Sequence, residues 1–337
     1  MMNIMEKSET NISSSRKIKF KPFKTLFSIR EASLATIILI TATAMTFLTP
    51  GFMTRSNILT TLIGLSMDGI ITVAMTIVLV MGGIDLGVGS VLAFASVLAG
   101  VLAIKVGLNI WLAVFITLLA SVSAGSLVGY FVTRIGLSPF ITTLGMMSIA
   151  RGLAYVLTKG SPLSLGVISP AFDYIGQGSF LGIPNLILIL ILLVLIFDFL
   201  MRRSAVFRQI YYVGSNEKAA RLSGINVDRI KFGVYVLSAL LSGLAGILTL
   251  ARFGVATPTA GVGAELRAIA GAVIGGASLS GGEGTIIGAL LGVILVALVN
   301  DALILLNVSV YWQSLVTGIV LIAAVTIDML AHHRRTS

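Results

Sequence analysis

The chain contains no cysteine, which excludes disulfides, thiol nucleophiles and Cys-ligated metal centres. Histidine is nearly as scarce. The only two, His332 and His333, are adjacent near the C-terminal end, where they read as a solvated tail and not as ligands of zinc or haem. Charge is sparse as well: charged residues make up 11% of 337, against about 25% in an ordinary soluble domain. No segment matches the Walker phosphate-loop pattern, so no nucleotide-hydrolysis site is expected in this chain. Tryptophan occurs twice, at Trp111 and Trp312, both near the ends of apolar runs, where a membrane-interface belt is the simplest reading.

What the chain does have is apolar length. Hydrophobic residues reach 57% and mean hydropathy is +1.06. Runs of membrane-spanning length recur at 32–49, 58–80, 88–105, 108–132, 138–157, 184–200, 232–251, 264–280, 285–305 and 311–329. Ten helices of about 20 residues use roughly 200 residues. Short loops and one larger loop account for the rest, and no soluble catalytic domain fits. The expected fold class is an all-α polytopic membrane protein with about ten transmembrane helices. Some glycine-rich segments are expected to be broken or re-entrant, which lipid tolerates only where protein or a watery cavity satisfies the backbone.

The net charge of +10 would suggest nucleic acid as a partner of a soluble protein, but here the basic residues cluster beside apolar segments. Retention against an anionic membrane leaflet explains them, and no nucleic-acid partner is expected. Residues 1–31 carry Lys7, Arg16, Lys17, Lys19, Lys21, Lys24 and Arg30 against Glu6, Glu9 and Glu31, and lack the form of a cleaved export signal. They predict a cytoplasmic N-terminal segment. Loop 201–231 carries seven basic and two acidic residues, again an inside signal. Segment 160–183 has Asp173 and no other charge, which suits the outside. The tail 330–337, with Arg334 and Arg335, reads inside. The predicted organisation is a transmembrane domain over 32–329, interrupted by a cytoplasmic loop at 201–231, with six spans before the loop, four after it and both termini cytoplasmic.

The 36 glycines serve mainly close helix packing, as with Gly288, Gly292 and Ala297 in one apolar run. Two stretches echo one another: MGGIDLGVGS from Met81 and IGGASLSGGE from Ile274. They share Gly82, Gly83, Leu86 and Gly89 in the first copy, and Gly275, Gly276, Leu279 and Gly282 in the second. A parallel duplication and chance in a glycine-rich chain both account for this.

Within 201–231, Asn216 to Leu222 is expected to form a short helix. Asn216 would cap it, Glu217 would lie at the positive end of its dipole, and Gly224 would end it in a left-handed conformation. Ala219, Ala220 and Leu222 would form a compact face. A helix so short gains little from propensity and needs a surface to hold it.

Charges inside the apolar runs cost roughly 2.5–3.5 kcal/mol on insertion scales and should face protein, water or the interface. Asp85 is expected to cap the following helix through amides near Gly87 and Val88. Asp68 suits three roles: a polar contact within the bundle, a solute contact, or a cation or proton site. Arg151 has Asp68 as a candidate partner. Asn300 is a further candidate polar contact.

The segment 81–100, MGGIDLGVGSVLAFASVLAG, resembles the permease subunits of bacterial ABC importers for ribose, xylose, galactose and related sugars. The resemblance continues through GLSPFITTLGMMSIARGLAYVLTKGSPL at 136–163 and VGSNEKAARLSGINVDRIKF at 213–232. It returns at 258–301, and in all covers most of residues 55–329. It implies a fold like that of the ten-helix permeases of the vitamin B12 importer type. It also implies a set of partners: a second permease subunit, identical or related; a cytoplasmic ABC ATPase that binds ATP and magnesium; and an extracytoplasmic solute-binding protein that delivers a small sugar. This chain would bind no cofactor itself and would lie in the bacterial cytoplasmic (inner) membrane. The resemblance makes Glu217, Ala219, Ala220 and Gly224 a coupling helix for the ATPase, although Lys218 departs from the family's Glu-Ala-Ala pattern. It gives Gly82, Gly83, Asp85, Gly89, Gly275, Gly276 and Gly282 a gating or structural role. Ser66, Asn109, Thr142, Thr143, Ser148 and Asn300 are then candidate partners for sugar hydroxyls. Related permeases for branched-chain amino acids share parts of the glycine pattern, and an ion-coupled secondary transporter is the further alternative.

Overall fold

A computed structural model describes residues 29–49, 51–166, 169–309 and scattered positions between 312 and 326. Among the described residues up to 309, twelve α-helices run in order: α1 Ile29–Leu48, α2 Arg55–Val80, α3 Val88–Ile104, α4 Ile110–Tyr130, α5 Pro139–Thr158, α6 Pro170–Gln177, α7 Asn185–Arg203, α8 Ala205–Ser215, α9 Glu217–Leu222, α10 Val227–Phe253, α11 Ala264–Ile274 and α12 Ile286–Leu305. A widened π turn, Phe131–Ile135, extends α4. Among the described residues seven helices are long and apolar enough to cross a membrane, and α3 is a shorter apolar helix. The chain is thus an all-α, multi-pass membrane protein. The expected tenth span at 311–329 lies mostly outside the described residues, as do residues 1–28 and the tail 330–337.

Helices α2 and α10 form the centre. Their most apolar windows are 78% and 72% buried, against 17% for α1 and 22% for α5, so the outer helices turn their apolar faces outward. That inversion of a soluble core is what a lipid surround produces. Helix α10 packs on α2, α3, α4 and α6, while α2 also packs on α7, α11 and α12. Helices α11 and α12 approach so closely that a Cβ on Gly271 would stand 3.1 Å from the Val293 backbone, and one on Gly288 or Gly292 would strike α11 carbonyls.

Two expectations need correcting. The run 264–280 is not one helix: α11 stops at Ile274, and residues 275–285 form a turn. A continuous apolar sequence hid this break, because hydropathy does not register a helix end made by backbone conformation. Loop 201–231 also holds more helix than the single short one expected there. Helix α7 runs on to Arg203, α8 occupies 205–215, and α10 already begins at Val227. Its signal was present in Ile210 and Val213, three residues apart and both buried.

Segment 160–183 and its surroundings carry short structure that the composition did not reveal. Strand β1, Leu163–Ser164, pairs antiparallel with β4, Val255–Ala256; β2, Ser179–Phe180, pairs with β3, Ile183–Pro184. The amphipathic α6 lies nearby, with Phe172 buried and meeting Trp111 edge to face.

Candidate functional site: two broken helices and a glycine junction

The two echoed stretches fold as the same device. Helix α2 ends in a Schellman turn with Gly82 at φ +83°, and α11 ends in one with Gly276 at φ +98°. In the first, the N–H of Gly83 donates to Val78 O at 3.0 Å; in the second, that of Ala277 donates to Ala272 O at 2.9 Å. The structural register is shifted one residue from the sequence echo, pairing Gly82 with Gly276. A helix follows each turn, α3 after the first and α12 after the second.

These turns meet one another beneath α8. The Gly282 N–H donates to Val80 O at 2.8 Å, joining second turn to first. Gly214, near the end of α8, lies over that bond: a Cβ there would stand 2.6 Å from Gly282 N and would collide with the Val80 carbonyl oxygen. A Cβ on Gly281 would stand 2.9 Å from the Cα of Gly82. The Tyr211 hydroxyl, one turn earlier in α8, donates to Gly284 O at 2.8 Å. The junction uses Gly82 and Gly282, both expected from the sequence, together with Gly214 and Gly281, which had been given no role. Gly83 lies deeper, with the buried Tyr235 hydroxyl beside it at a distance of 2.7 Å from where its Cβ would be. Gly275 instead packs against Gly288 and Ala289 of α12.

The second device lies within the bilayer. Asp68 of α2 receives Arg267 of α11 in a bidentate pair, Nε to Oδ2 at 2.9 Å and Nη2 to Oδ1 at 3.0 Å. Asp68 lies twelve residues before the last residue of α2, about 18 Å along the axis. In a hydrocarbon core about 30 Å thick, that places Arg267, and hence the start of α11, near mid-depth. Helix α3 begins beside it. A Cβ on Gly261 would stand 2.7 Å from Gly89 O, and a Cβ on Gly89 would stand 2.7 Å from the Glu265 carboxylate. The positive ends of two helices therefore meet inside the bundle. Asp85 sits at the head of α3 and binds Gly87 as its sequence position suggested, but Gly87 is the N-cap residue itself, so α3 has no side-chain cap and Val88 is not engaged. Asp85 Oδ1 accepts from the Gly87 N–H at 2.9 Å, and its Oδ2 accepts from the Ser238 hydroxyl of α10 at 2.7 Å.

Arg151 and Asp68 are not partners, contrary to the sequence expectation. Arg151 of α5 donates through Nη1 to Pro258 O at 2.6 Å and Ala260 O at 2.7 Å, pinning the segment that descends into α11. Sequence separation hid Arg267, which lies 199 residues from Asp68. Asn300 is half-buried and takes no side-chain hydrogen bond among the described residues; its neighbour Asp301 receives the Asn57 amide at 2.8 Å.

Helix α9 matches its sequence reading in outline. The Ala219 N–H donates to Asn216 Oδ1 at 3.0 Å, and Gly224 ends the helix at φ +82°. The Ile225 N–H closes the turn on Ala220 O at 3.0 Å. Within this chain the face of Ala219, Ala220 and Leu222 is mostly open. Only Ala220 is buried, Ala219 is exposed, and Leu222 stands 91% exposed at the tip. Helix α9 is tied instead by charge. Glu217 takes Lys231 of α10 at 2.6 Å and Arg221 at 3.0 Å, while Arg221 also takes Asp228 of α10. The hydrogen bond from Lys231 holds Glu217 below the usual glutamate range; partial burial opposes the shift and Arg221 adds to it.

Comparison with known proteins adds an independent line. The family model described as "Branched-chain amino acid transport system / permease component" matches residues 57–325. The ribose import permease protein RbsC of Escherichia coli (strain K12) is 40% identical over 309 residues, covering 91% of this chain and 95% of that protein. RbsC of Bacillus subtilis (strain 168) is 40% identical over 284 residues, covering 84% and 88%. The L-arabinose ABC transporter permease protein AraH of Azospirillum brasilense is 35% identical over 307 residues, covering 91% and 90%. No solved structure gives a significant match. A match over most of the membrane domain, with relatives aligned nearly end to end, places the chain in this family: it is a permease component of an ABC transport system.

Proposed function

We propose that this chain is the membrane subunit of an ATP-driven importer and carries a monosaccharide or similar small polar solute, delivered by an extracytoplasmic binding protein. The observation that carries the reading is the 40% identity to ribose import permeases across 91% of the chain. The family model's own description keeps a branched-chain amino-acid substrate as the second reading. Ion coupling through Asp68 is disfavoured, because Arg267 occupies both carboxylate oxygens.

The chain sits in the inner membrane with α8, α9 and both glycine turns on the cytoplasmic side, and its fold is of the ten-helix, B12-importer type. Helix α9 is the coupling helix, and exposed Leu222 is the apolar knob that enters a groove on the ATPase, which itself binds ATP and magnesium. Movement of α9 reaches the membrane by two routes. One is the Glu217–Lys231 and Arg221–Asp228 ties to α10, whose Ser238 holds Asp85 at the head of α3. The other is Gly214, which presses on both turns. A second permease subunit packs beside α5, whose exposed face carries Gly145, Ser148 and Gly152 with open space at both glycines. The solute passes between the subunits, and the α3 and α11 N-termini present unpaired amides and dipole ends at mid-depth as polar contacts for it. Differential stability of the inward and outward states then sets the direction of the cycle.

The test is reconstitution of the permease with its ATPase and binding protein, assayed against a panel of sugars and branched-chain amino acids. Stimulation of ATP hydrolysis by a sugar and not by leucine is expected; the reverse would overturn the sugar reading. In the same assay Gly224→Val should insert normally yet lose stimulation by tenfold or so. A β-branched residue resists φ near +82°, and no neighbouring atom would clash with the new side chain. Normal stimulation would remove the coupling role from α9.

A further inference from the structure

At the end of the bundle that carries α8 and α9, a cavity of about 340 Å³ opens between the α4 terminus and the start of α10, lined by Tyr130, Thr133, Arg134, Asn226, Asp228, Arg229 and Phe232. Its volume falls at the lower end of the range of about 300–1,000 Å³ typical of ligand pockets. Its charge is lopsided. Asp228 is already engaged by Arg221. Arg134 and Arg229 are exposed and have no ion pair among the described residues. The backbone N–H of Arg229 donates to Asn226 Oδ1 at 3.0 Å, which caps α10; its guanidinium makes no ion pair among the described residues.

The walls are built for the membrane boundary. Tyr130 is 50% exposed, and Phe131 and Ile135 beside it are also exposed, so this terminus faces outward from the bundle. Gly129 lets Phe232 lie against α4: a Cβ there would stand 2.8 Å from the Phe232 ring and 3.1 Å from its Cα. The π turn Phe131–Ile135 carries Thr133 and Arg134 into the cavity wall; such turns recur at functional sites. The first turn of the 27-residue α10 adds the positive end of its dipole. Two guanidiniums without an ion pair among the described residues and two partly exposed aromatics line one cavity, while the Thr133 hydroxyl donates to Gly129 O at 2.8 Å and Arg134 also feels the charge of Asp228.

We propose that this cavity binds the headgroup of an anionic phospholipid, with phosphate on Arg134 and Arg229 and acyl chains along Tyr130 and Phe232. A free phosphate ion would not need the aromatic rim. A protein partner is the weaker reading, because the rim continues into the lipid-facing side of α4. The inference does not depend on which solute is carried. It has a consequence for coupling: Asp228 is both a wall of the cavity and the anchor of Arg221 in α9, so lipid occupancy and α9 position share one carboxylate.

The test uses the full chain in phosphatidylcholine vesicles containing a minor share of phosphatidylglycerol. Spin-labelled versions of the two lipids report the fraction of each immobilised on the protein. The wild type is expected to select phosphatidylglycerol. Arg134→Gln with Arg229→Gln should lose selectivity by roughly fivefold per arginine, from about 1 kcal/mol per basic residue at an anionic surface. Arg203→Gln with Arg208→Gln, on the same end but outside the cavity, should retain it, as should Arg134→Lys with Arg229→Lys in large part. Four results would overturn the proposal: unchanged selectivity in the Arg134/Arg229 variant, equal loss in the Arg203/Arg208 variant, release of the lipid by inorganic phosphate at matched ionic strength, or loss of ATPase binding with lipid selectivity intact.

Discussion

Replacing Gly214 with valine should abolish transport while smaller changes at neighbouring positions in α8 do not. The space over Gly214 holds the hydrogen bond from Gly282 N–H to Val80 O, at 2.8 Å, and a Cβ would displace one of its two ends. Overpacking costs typically 1–3 kcal/mol. The upper part of that range applies here, because the obstructing atoms are backbone and cannot rotate away. Even Gly214→Ala should therefore reduce uptake by tenfold or more, whereas Tyr211→Phe, which removes only the bond to Gly284 O, should cost about 1 kcal/mol. Uptake per inserted protein is the measurement, with the inserted amount taken from carbonate-washed membranes. Normal uptake in Gly214→Val would mean that α8 moves freely over the turns and that they do not receive its motion.

The second large effect concerns the pair inside the bilayer. Breaking a buried ion pair by removing one partner costs about 3–5 kcal/mol, because the remaining charge is stranded. Asp68 and Arg267 keep 29% side-chain exposure each, so the low end, about 3 kcal/mol, is expected for Asp68→Asn or Arg267→Gln alone. The double variant leaves no stranded charge and should recover about 1–2 kcal/mol of the summed loss. Thermal unfolding of the reconstituted protein would show the double variant below either single, but by clearly less than the sum of the two single shifts. Strictly additive losses would mean that the two side chains find other partners and that α11 is not held at mid-depth by this contact.

Local features were the most legible. Asn216 before Glu217 and Gly224 after the short helix predicted the start and end of α9, because capping is decided within a few residues. Asp85 could be assigned to Gly87 for the same reason, as the two lie two residues apart. Apolar run length found α2, α4, α5, α7, α10 and α12 to within a few residues. Hydropathy failed where the chain stays apolar through a turn, as after Ile274, and where a helix is half polar, as in α8. It also could not say which face of α9 is buried, since that depends on what α10 presents to it.

By itself the sequence determined that this chain lives in lipid, most of the helices long enough to cross it, where the basic loop falls and which family it resembles. Each of these follows from composition and from patterns that are contiguous along the chain. Only the tertiary structure decided that Arg267 and not Arg151 neutralises Asp68, that the two echoed turns touch each other under Gly214, and that α3 and α11 begin inside the bundle. These contacts join residues scores to hundreds apart along the chain, and a residue type carries no record of which distant partner the packing will bring to it.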